Sequence, residues 1–254
     1  MFNVFDVPSW SRVLNPCYYL NRKSQGMIIT VGDSWTYGDS LGKTQVRNGI
    51  DDTEYRLQHV YGNLISQELN FDWINLALPG ISNRQMLTWL EQLLSRNIHG
   101  SNTTCIITLT ESGRHEELQW LDKKVNLLQD NLESMVDKTY ICIEQIQKRY
   151  PGINFLVAHN FTDSRYTHKI NLCNQTWLEV LTGKQLQNNT HIVVSEHIKQ
   201  MNYDYTYPDT PTVIDRALDR IAIMNNCKYC CQHDSRHPTE QGHRLWANYL
   251  LSWI

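Results

Sequence analysis

The stretch MIITVGDSWTYGDS, residues 27–40, joins an apolar run to a turn rich in glycine, aspartate and serine. The run at 27–31 predicts a buried strand, because it is short, continuous and bounded by turn residues. Glycine, aspartate and serine are ordinary turn residues, so a turn alone would explain them. The turn would also present Ser34 at the end of the strand. Since a serine hydroxyl is a weak nucleophile until a base takes its proton, Ser34 is a candidate only if a histidine reaches it.

Apolar runs and amphipathic segments alternate along the rest of the chain, which predicts alternating strands and helices. The predicted strands are 27–31, 73–78, 105–110 and 153–158, and the predicted helices are 54–70, 83–96, 115–150, 176–181 and the final segment capped by Thr239. Strands separated by helices typically form a parallel sheet that is covered on both faces. The sequence therefore predicts an α/β fold.

The region between residues 159 and 226 has a weaker pattern that is rich in Asn, Tyr and Thr. Beyond the helix at 176–181, it predicts a short apolar piece at 191–195 and a helix at 212–225. No linker rich in Pro, Gly or Ser isolates it, so we expect one domain, residues 1–254, with an insertion at the rim of the sheet. Loops at such a rim often contact substrate.

Composition restricts the class of protein. A net charge of −3 over 254 residues provides no basic field that would hold a phosphate backbone, so no nucleic-acid partner is expected. The first residues lack the pattern of a signal peptide, and no apolar run is long enough to span a membrane. Seven cysteines, an odd number, suit a reducing compartment better than a disulfide framework, and we expect a cytoplasmic protein.

Four polar segments follow predicted strands or precede the last helix. They are 32–34 with Ser34, 75–83 with Gly80 and Asn83, 108–116, and 233–238 with Asp234 and His237. Ligands of parallel α/β sheets bind outside the carboxyl ends of the strands, where such segments meet. A glycine N–H in the second segment could face an oxyanion, although a helix-capping turn explains that segment equally well.

Asp234 and His237 lie three residues apart. In a turn, this spacing lets a carboxylate hold one imidazole nitrogen while the other faces a serine. Alone, the pair would usually be a solvated loop. The order of the segments argues otherwise, because a serine at a first strand end, a glycine at a second and an Asp-x-x-His pair before the final helix form one arrangement that chance rarely assembles.

Three of these segments resemble the sequence blocks of GDSL-type serine esterases of the SGNH hydrolase superfamily. They are GDSWTYG at 32–38, NLALPGISN at 75–83 and DSRHPTEQGH at 234–243. The resemblance implies a flavodoxin-like three-layer α/β/α fold with a central parallel sheet, no metal and no organic cofactor. It further implies that Ser34 is the nucleophile, His237 the general base and Asp234 its orienting carboxylate, with backbone N–H groups of Ser34 and Gly80 as the oxyanion hole.

One block departs from the family. The family carries Gly-x-Asn-Asp after the third strand, and its asparagine donates to the oxyanion, whereas this chain reads TESGR at 110–114. The loss of one such donor costs about 10²–10³ in turnover. Ser112 or Arg114 is the preferred substitute, and Thr110 or Asn83 could also donate.

Two rival hypotheses stay open. Cysteines 227, 230 and 231 precede His233 and His237 with a zinc-like spacing, but a closed zinc site would consume His237, so packing is the simpler interpretation. The chain could also be a binding module that retains the fold without turnover. Aromatic residues at 35, 37 and 203–208 could stack on a sugar ring, which makes O-acetylated carbohydrate a reasonable substrate, although rim packing explains them too.

Overall fold

The structure, a computed structural model, describes residues 17–19, 24–39, 41, 53–97, 100, 102–110, 125–161, 170–183, 224, 226–230 and 237–254. The strands are β1 (Cys17–Tyr19), β2 (Met27–Val31), β3 (Asp72–Asn75), β4 (Thr103–Leu109) and β5 (Ile153–His159). The helices are α1 (Ser34–Tyr37), α2 (Thr53–His59), α3 (Tyr61–Leu69), α4 (Asn83–Leu94), α5 (Val125–Arg149), α6 (Trp177–Thr182) and α7 (Glu240–Leu251).

The strands form one sheet in the order β1-β3-β2-β4-β5. Strands β2 to β5 are parallel, and β1 pairs antiparallel with β3 at the edge. The parallel strands, taken alone, have the flavodoxin-like order in which the first strand lies between the second and the third. Their carboxyl ends therefore meet at one edge, and the turn after β2 lies at its centre.

Each face of the sheet has its own apolar core, because alternate strand residues point to opposite faces. Ile28 packs with side chains of α3, α6 and α7, among them the buried Trp177 and Trp246. Ile29 packs on the other face with side chains of α4 and α5. Helices thus cover both faces, and the predicted three-layer α/β/α class is confirmed.

The predicted strands all occur, with small differences at their ends. Strand β3 ends at Asn75 instead of residue 78, because the Asn75 carboxamide oxygen accepts the N–H of Ala77 at 3.0 Å and turns the chain. The edge strand β1 was not predicted. The predicted helices at 83–96 and 176–181 correspond to α4 and to α6, which Thr176 caps.

The predicted helix at 54–70 is wrong as a single helix. It is broken at Val60, whose backbone is extended at ψ 142°, into α2 and α3. The physical reason lies in a distant element. The N–H of Tyr61 donates to Nδ1 of His243 in α7 at 3.3 Å, so a tertiary contact provides an acceptor at the start of α3.

Several predictions lie outside the described residues. These include the start of the long helix, at 115–124, and most of the rim insertion. The insertion's predicted pieces at 191–195 and 212–225 are among them, except for residue 224. The single-domain organisation consequently stays a prediction. Within the described part of the chain, no helix has both the length and the apolar character that a membrane span requires.

Helix α3 approaches the sheet so closely that only glycine fits at residue 62. A Cβ there would lie 2.4 Å from Nε1 of Trp73 and 2.8 Å from Cγ2 of Thr30. We expect Gly62→Ala to lower the free energy of unfolding by about 1–2 kcal/mol, because overpacking outweighs the gain in helix propensity. Urea titration measures this change. Gly152→Ala is the control, since its Cβ would meet no atom of the described residues within 4 Å. Equal losses in both variants would contradict the explanation.

Candidate active site

Ser34 is the first residue of α1 and follows β2 after Gly32 and Asp33. The short helix is closed by Gly38, and the Ser34 carbonyl accepts the N–H groups of Gly38 at 3.1 Å and Asp39 at 3.0 Å. The N–H of Ser34 has no acceptor within the helix, because the first N–H groups of any helix lack one. The turn therefore fixes the backbone of Ser34 and leaves its N–H for another acceptor.

The carboxylate of Asp33 is fully buried and holds this turn in place. One oxygen accepts the N–H of Trp35 at 3.0 Å and the side-chain amide of Asn160 at 2.8 Å, and the other accepts the hydroxyl of Thr110 at 2.7 Å. A buried carboxylate requires such donors. Because Thr110 follows β4 and Asn160 follows β5, Asp33 joins the carboxyl ends of three adjacent strands.

Asn83, at the start of α4, also holds the backbone of Thr110 in place. Its N–H donates to the Asn83 carboxamide oxygen at 2.9 Å, and its carbonyl accepts the Asn83 amide at 3.0 Å. The hydroxyl proton of Thr110 is committed to Asp33, so the prediction that Thr110 could donate to an oxyanion is wrong. Asn83 keeps one amide hydrogen beyond this pairing, so its predicted contact with substrate stays open.

The loop after β3 lies against the turn that carries Ser34, because the N–H of Leu78 donates to the carbonyl of Gly32 at 3.2 Å. Gly80 follows with φ +77°, a conformation that favours glycine, and it is exposed. A Cβ at this position would have no atom of the described residues within 4 Å. Among the described residues, nothing fills the space at this position, where the sequence predicts an oxyanion donor. Ser82 caps α4 by accepting the N–H of Gln85.

His237 lies three residues before the start of α7 and contacts the turn that carries Ser34. Its Nε2 is 3.7 Å from Oδ2 of Asp39, and the two side chains are 9% and 20% exposed. This separation is too long for a hydrogen bond but short enough for electrostatic attraction to a protonated imidazole. The structure thus brings His237 and the Ser34 turn together although 203 positions separate the two residues in the sequence.

Asp39 is a site residue that the sequence analysis missed. The only signal for it was a second Gly-Asp-Ser at 38–40, which reads as an ordinary turn. Asn160 was missed as well, although it directly follows β5 at the predicted ligand edge. Arg56 of α2 was the third: its guanidinium donates to the Tyr37 carbonyl at 3.0 Å and lies 3.8 Å above the Tyr37 ring, which supports the end of α1.

Three predicted site residues lie outside the described residues, namely Asp234, Ser112 and Arg114. Their functions stay predictions. Cys231 and His233 of the alternative zinc site lie outside them too, and the described residues contain no cluster of three or more Cys, His, Asp or Glu side chains that could hold a metal.

A second histidine supports the site from behind. His243 of α7 is fully buried, its Nδ1 accepts the Tyr61 N–H, and its ring meets the edge of Trp177 at a centroid distance of 5.1 Å. Its Nε2 has no hydrogen-bond partner among the described residues. Burial first, and then the nearby His237 and His59, lower the pKa of His243 from 6.5 to about 3. His243 is therefore neutral, and its proton is on Nε2.

The Asp33 network yields a stability prediction. In Asp33→Asn an amide N–H₂ replaces one oxygen, so at least one of the three donors loses its acceptor. We expect the free energy of unfolding to fall by about 2–3 kcal/mol. Urea titration measures this. Asp39→Asn, on the same turn but partly exposed, should change the free energy of unfolding by less than about 0.5 kcal/mol. A loss as large as that of Asp33→Asn would mean that removal of any negative charge from this turn, and not loss of the buried hydrogen bonds, destabilises the protein.

Buried His243 makes the fold sensitive to acid. Its folded pKa of about 3 lies below the unfolded value, so its contribution is complete above pH 6.5 and is lost as the pH falls toward 3. Between pH 7 and pH 5 this loss is about 2 kcal/mol. From pH 7 to pH 5, we expect the free energy of unfolding of His243→Gln to fall by about 2 kcal/mol less than that of the wild type. Urea titrations at both pH values measure this difference. A loss in His243→Gln equal to that of the wild type would contradict this explanation.

The comparisons with known proteins find no matching family model and no matching curated protein. Among solved structures, the chain is similar to a G-D-S-L family lipolytic protein from Desulfitobacterium hafniense DCB-2, with 10% identity, coverage of 91% of this chain and 100% of that one, and a TM-score of 0.39. It is also similar to phospholipase A1 from Streptomyces albidoflavus NA297, with 17% identity, coverage of 90% of this chain and 99% of that one, and a TM-score of 0.44. A third similar structure is an acetylxylan esterase from Geobacillus stearothermophilus, with 12% identity, coverage of 91% of this chain and 94% of that one, and a TM-score of 0.40.

Proposed function

We propose that the protein is a serine hydrolase that cleaves carboxylic esters through an acyl-serine intermediate. One observation carries the proposal: the imidazole of His237 lies against Asp39, and the N–H of Asp39 donates to the carbonyl of Ser34. A histidine that reaches the turn carrying a serine, at the carboxyl edge of a parallel sheet, supports nucleophilic catalysis by that serine.

In the first step, His237 accepts the proton of the Ser34 hydroxyl as its oxygen attacks the ester carbonyl. Asp234, three residues earlier, orients the imidazole and stabilises the imidazolium. Asp39 adds a second negative charge near Nε2, so it stabilises the same cation without a hydrogen bond. The imidazolium then protonates the leaving alcohol, and an acyl-Ser34 remains.

The negative charge that develops on the carbonyl oxygen needs donors that are already in place. Backbone N–H groups of Ser34 and Gly80 fill this role, and they belong to two loops that the bond from Leu78 to Gly32 holds together. Thr110 cannot be the third donor, because its hydroxyl is committed to Asp33. Ser112 or Arg114 fills that position in this proposal.

In the second step, His237 takes a proton from water, and the resulting attack releases the acyl group and restores Ser34. The substrates proposed are esters with short acyl chains, including O-acetyl groups on carbohydrate. Ser34 is only 6% exposed, which favours a small acyl group at the point of attack. No metal or organic cofactor takes part in either step.

A fluorophosphonate probe tests the proposal directly. An activated serine displaces fluoride from phosphorus, so intact-mass spectrometry should show one adduct on the wild-type protein. Ser34→Ala and His237→Ala should both abolish labelling. Ser66→Ala, which removes another buried serine hydroxyl, is the matched control and should label fully.

A comparison of labelling rates distinguishes the proposed roles of Asp234 and Asp39. Asp234→Asn should slow labelling by about 10⁴-fold if it fixes the imidazole tautomer, whereas Asp39→Asn should slow it far less. Absence of an adduct on folded wild-type protein would contradict the hydrolase and leave the binding module. An adduct that persists in Ser34→Ala would move the nucleophile to another residue.

A further inference from the structure

A pair of cysteines lies directly behind the segment that carries His237. Cys227 and Cys230 are thiols that are 5% and 3% exposed, and both belong to the apolar core on the α3, α6 and α7 side of the sheet. The N–H of Cys230 donates to the carbonyl of Cys227 at 3.1 Å and closes a four-residue turn. Such a turn brings its end Cα atoms within about 7 Å, which is the reach of a disulfide.

The two thiols also interact with each other. A hydrogen bond from the Cys230 side chain is the largest cause that lowers the pKa of Cys227 to about 6. The backbone N–H groups of Tyr229 and Cys230 and the charge of Lys228 act in the same direction, and burial opposes them. The contact from the Cys227 sulfur to the Leu181 carbonyl, 3.9 Å long, is a hydrogen bond only while the thiol is protonated. Cys227 is therefore the more nucleophilic sulfur at neutral pH.

The turn is joined to the candidate active site through backbone contacts. Cys230 forms an antiparallel bridge with Pro238, the neighbour of His237. The carbonyl of Tyr229, in the middle of the turn, accepts both the N–H of Thr239 at 2.8 Å and its hydroxyl at 3.1 Å. Any movement of residues 227–230 is consequently transmitted to His237 and to the start of α7.

We propose that Cys227 and Cys230 are a reversible oxidation site, and that closure of their disulfide lowers turnover by displacing His237. The oxidant is a small peroxide, because the sulfurs are nearly buried. The Cys227 thiolate attacks hydrogen peroxide and becomes a sulfenic acid, with release of hydroxide. The Cys230 sulfur then attacks the Cys227 sulfur, loses its proton and expels hydroxide, so the two thiols lose two electrons and the peroxide yields two waters.

The first experiment measures the bond itself and needs no substrate. Folded wild-type protein is treated with hydrogen peroxide, remaining thiols are alkylated, and intact-mass spectrometry with peptide mapping locates the loss of two hydrogens. We expect one disulfide between Cys227 and Cys230 that dithiothreitol reverses. Cys142→Ser, which removes an exposed cysteine of α5, should close the same bond. A bond to Cys231, or zinc held by the pair in the purified protein, would overturn the proposal.

Variants test the order of the steps. Cys230→Ser removes the second sulfur but keeps the first, so peroxide should leave a sulfenic acid on Cys227 that dimedone traps. Cys227→Ser should form no disulfide. In reduced protein, alkylation of Cys227 by iodoacetamide should be half-maximal near pH 6, whereas an ordinary thiol reaches that point near about pH 8.5. Half-maximal alkylation near the ordinary value would remove Cys227 as the attacking sulfur.

The effect on turnover rests on the proposed function and is measured separately. With the bond mapped, turnover of a short-chain ester by the oxidised protein should fall about 10- to 100-fold and recover on reduction, because small misplacements of a base cost that much. Cys230→Ser should keep its turnover after peroxide and reduction of any sulfenic acid. Disulfide formation with unchanged turnover would overturn the coupling to His237, whereas absence of any hydrolase activity before oxidation would count against the proposed function alone.

Discussion

The buried carboxylate of Asp33 is the constraint on which the candidate site depends. A charge removed from water must be surrounded by donors, and the donors come from the turn after β2, from Thr110 after β4 and from Asn160 after β5. These side chains stand at three adjacent strand ends, so satisfying one carboxylate fixes their relative positions. Ser34 follows Asp33 directly and inherits this rigidity, which a loop without such an anchor would lack.

The proposed base, His237, reaches this rigid edge from another layer. His237 depends on the turn at 227–230 and on the cap of α7, and both belong to the helical layer that packs on one face of the sheet. The proposed nucleophile and the proposed base are therefore positioned by different parts of the core. Packing between the layers sets their distance, and the short link through Asp39 is the point at which they meet.

Much of the fold could be predicted from the sequence, because buried parallel strands are short apolar runs. Such runs are recognised locally, without information about the strands that pair with them. The positions of Ser34 and His237 at the ligand edge followed from the strand order and the family resemblance, although their roles remain proposals. Asp39 and the commitment of Thr110 to Asp33 could not be predicted. Both depend on which polar atoms meet across distant segments, and a turn aspartate or a strand-end threonine looks the same with or without such a partner.

The break between α2 and α3 has a consequence for the order in which the chain folds. The acceptor that receives the first N–H of α3 is His243, 182 positions away, and a contact between such distant residues forms late, after much of the chain has been brought together. Local preferences alone favour one uninterrupted helix over residues 54–70. We therefore expect the division at Val60 to be complete only once α7 has docked against α3.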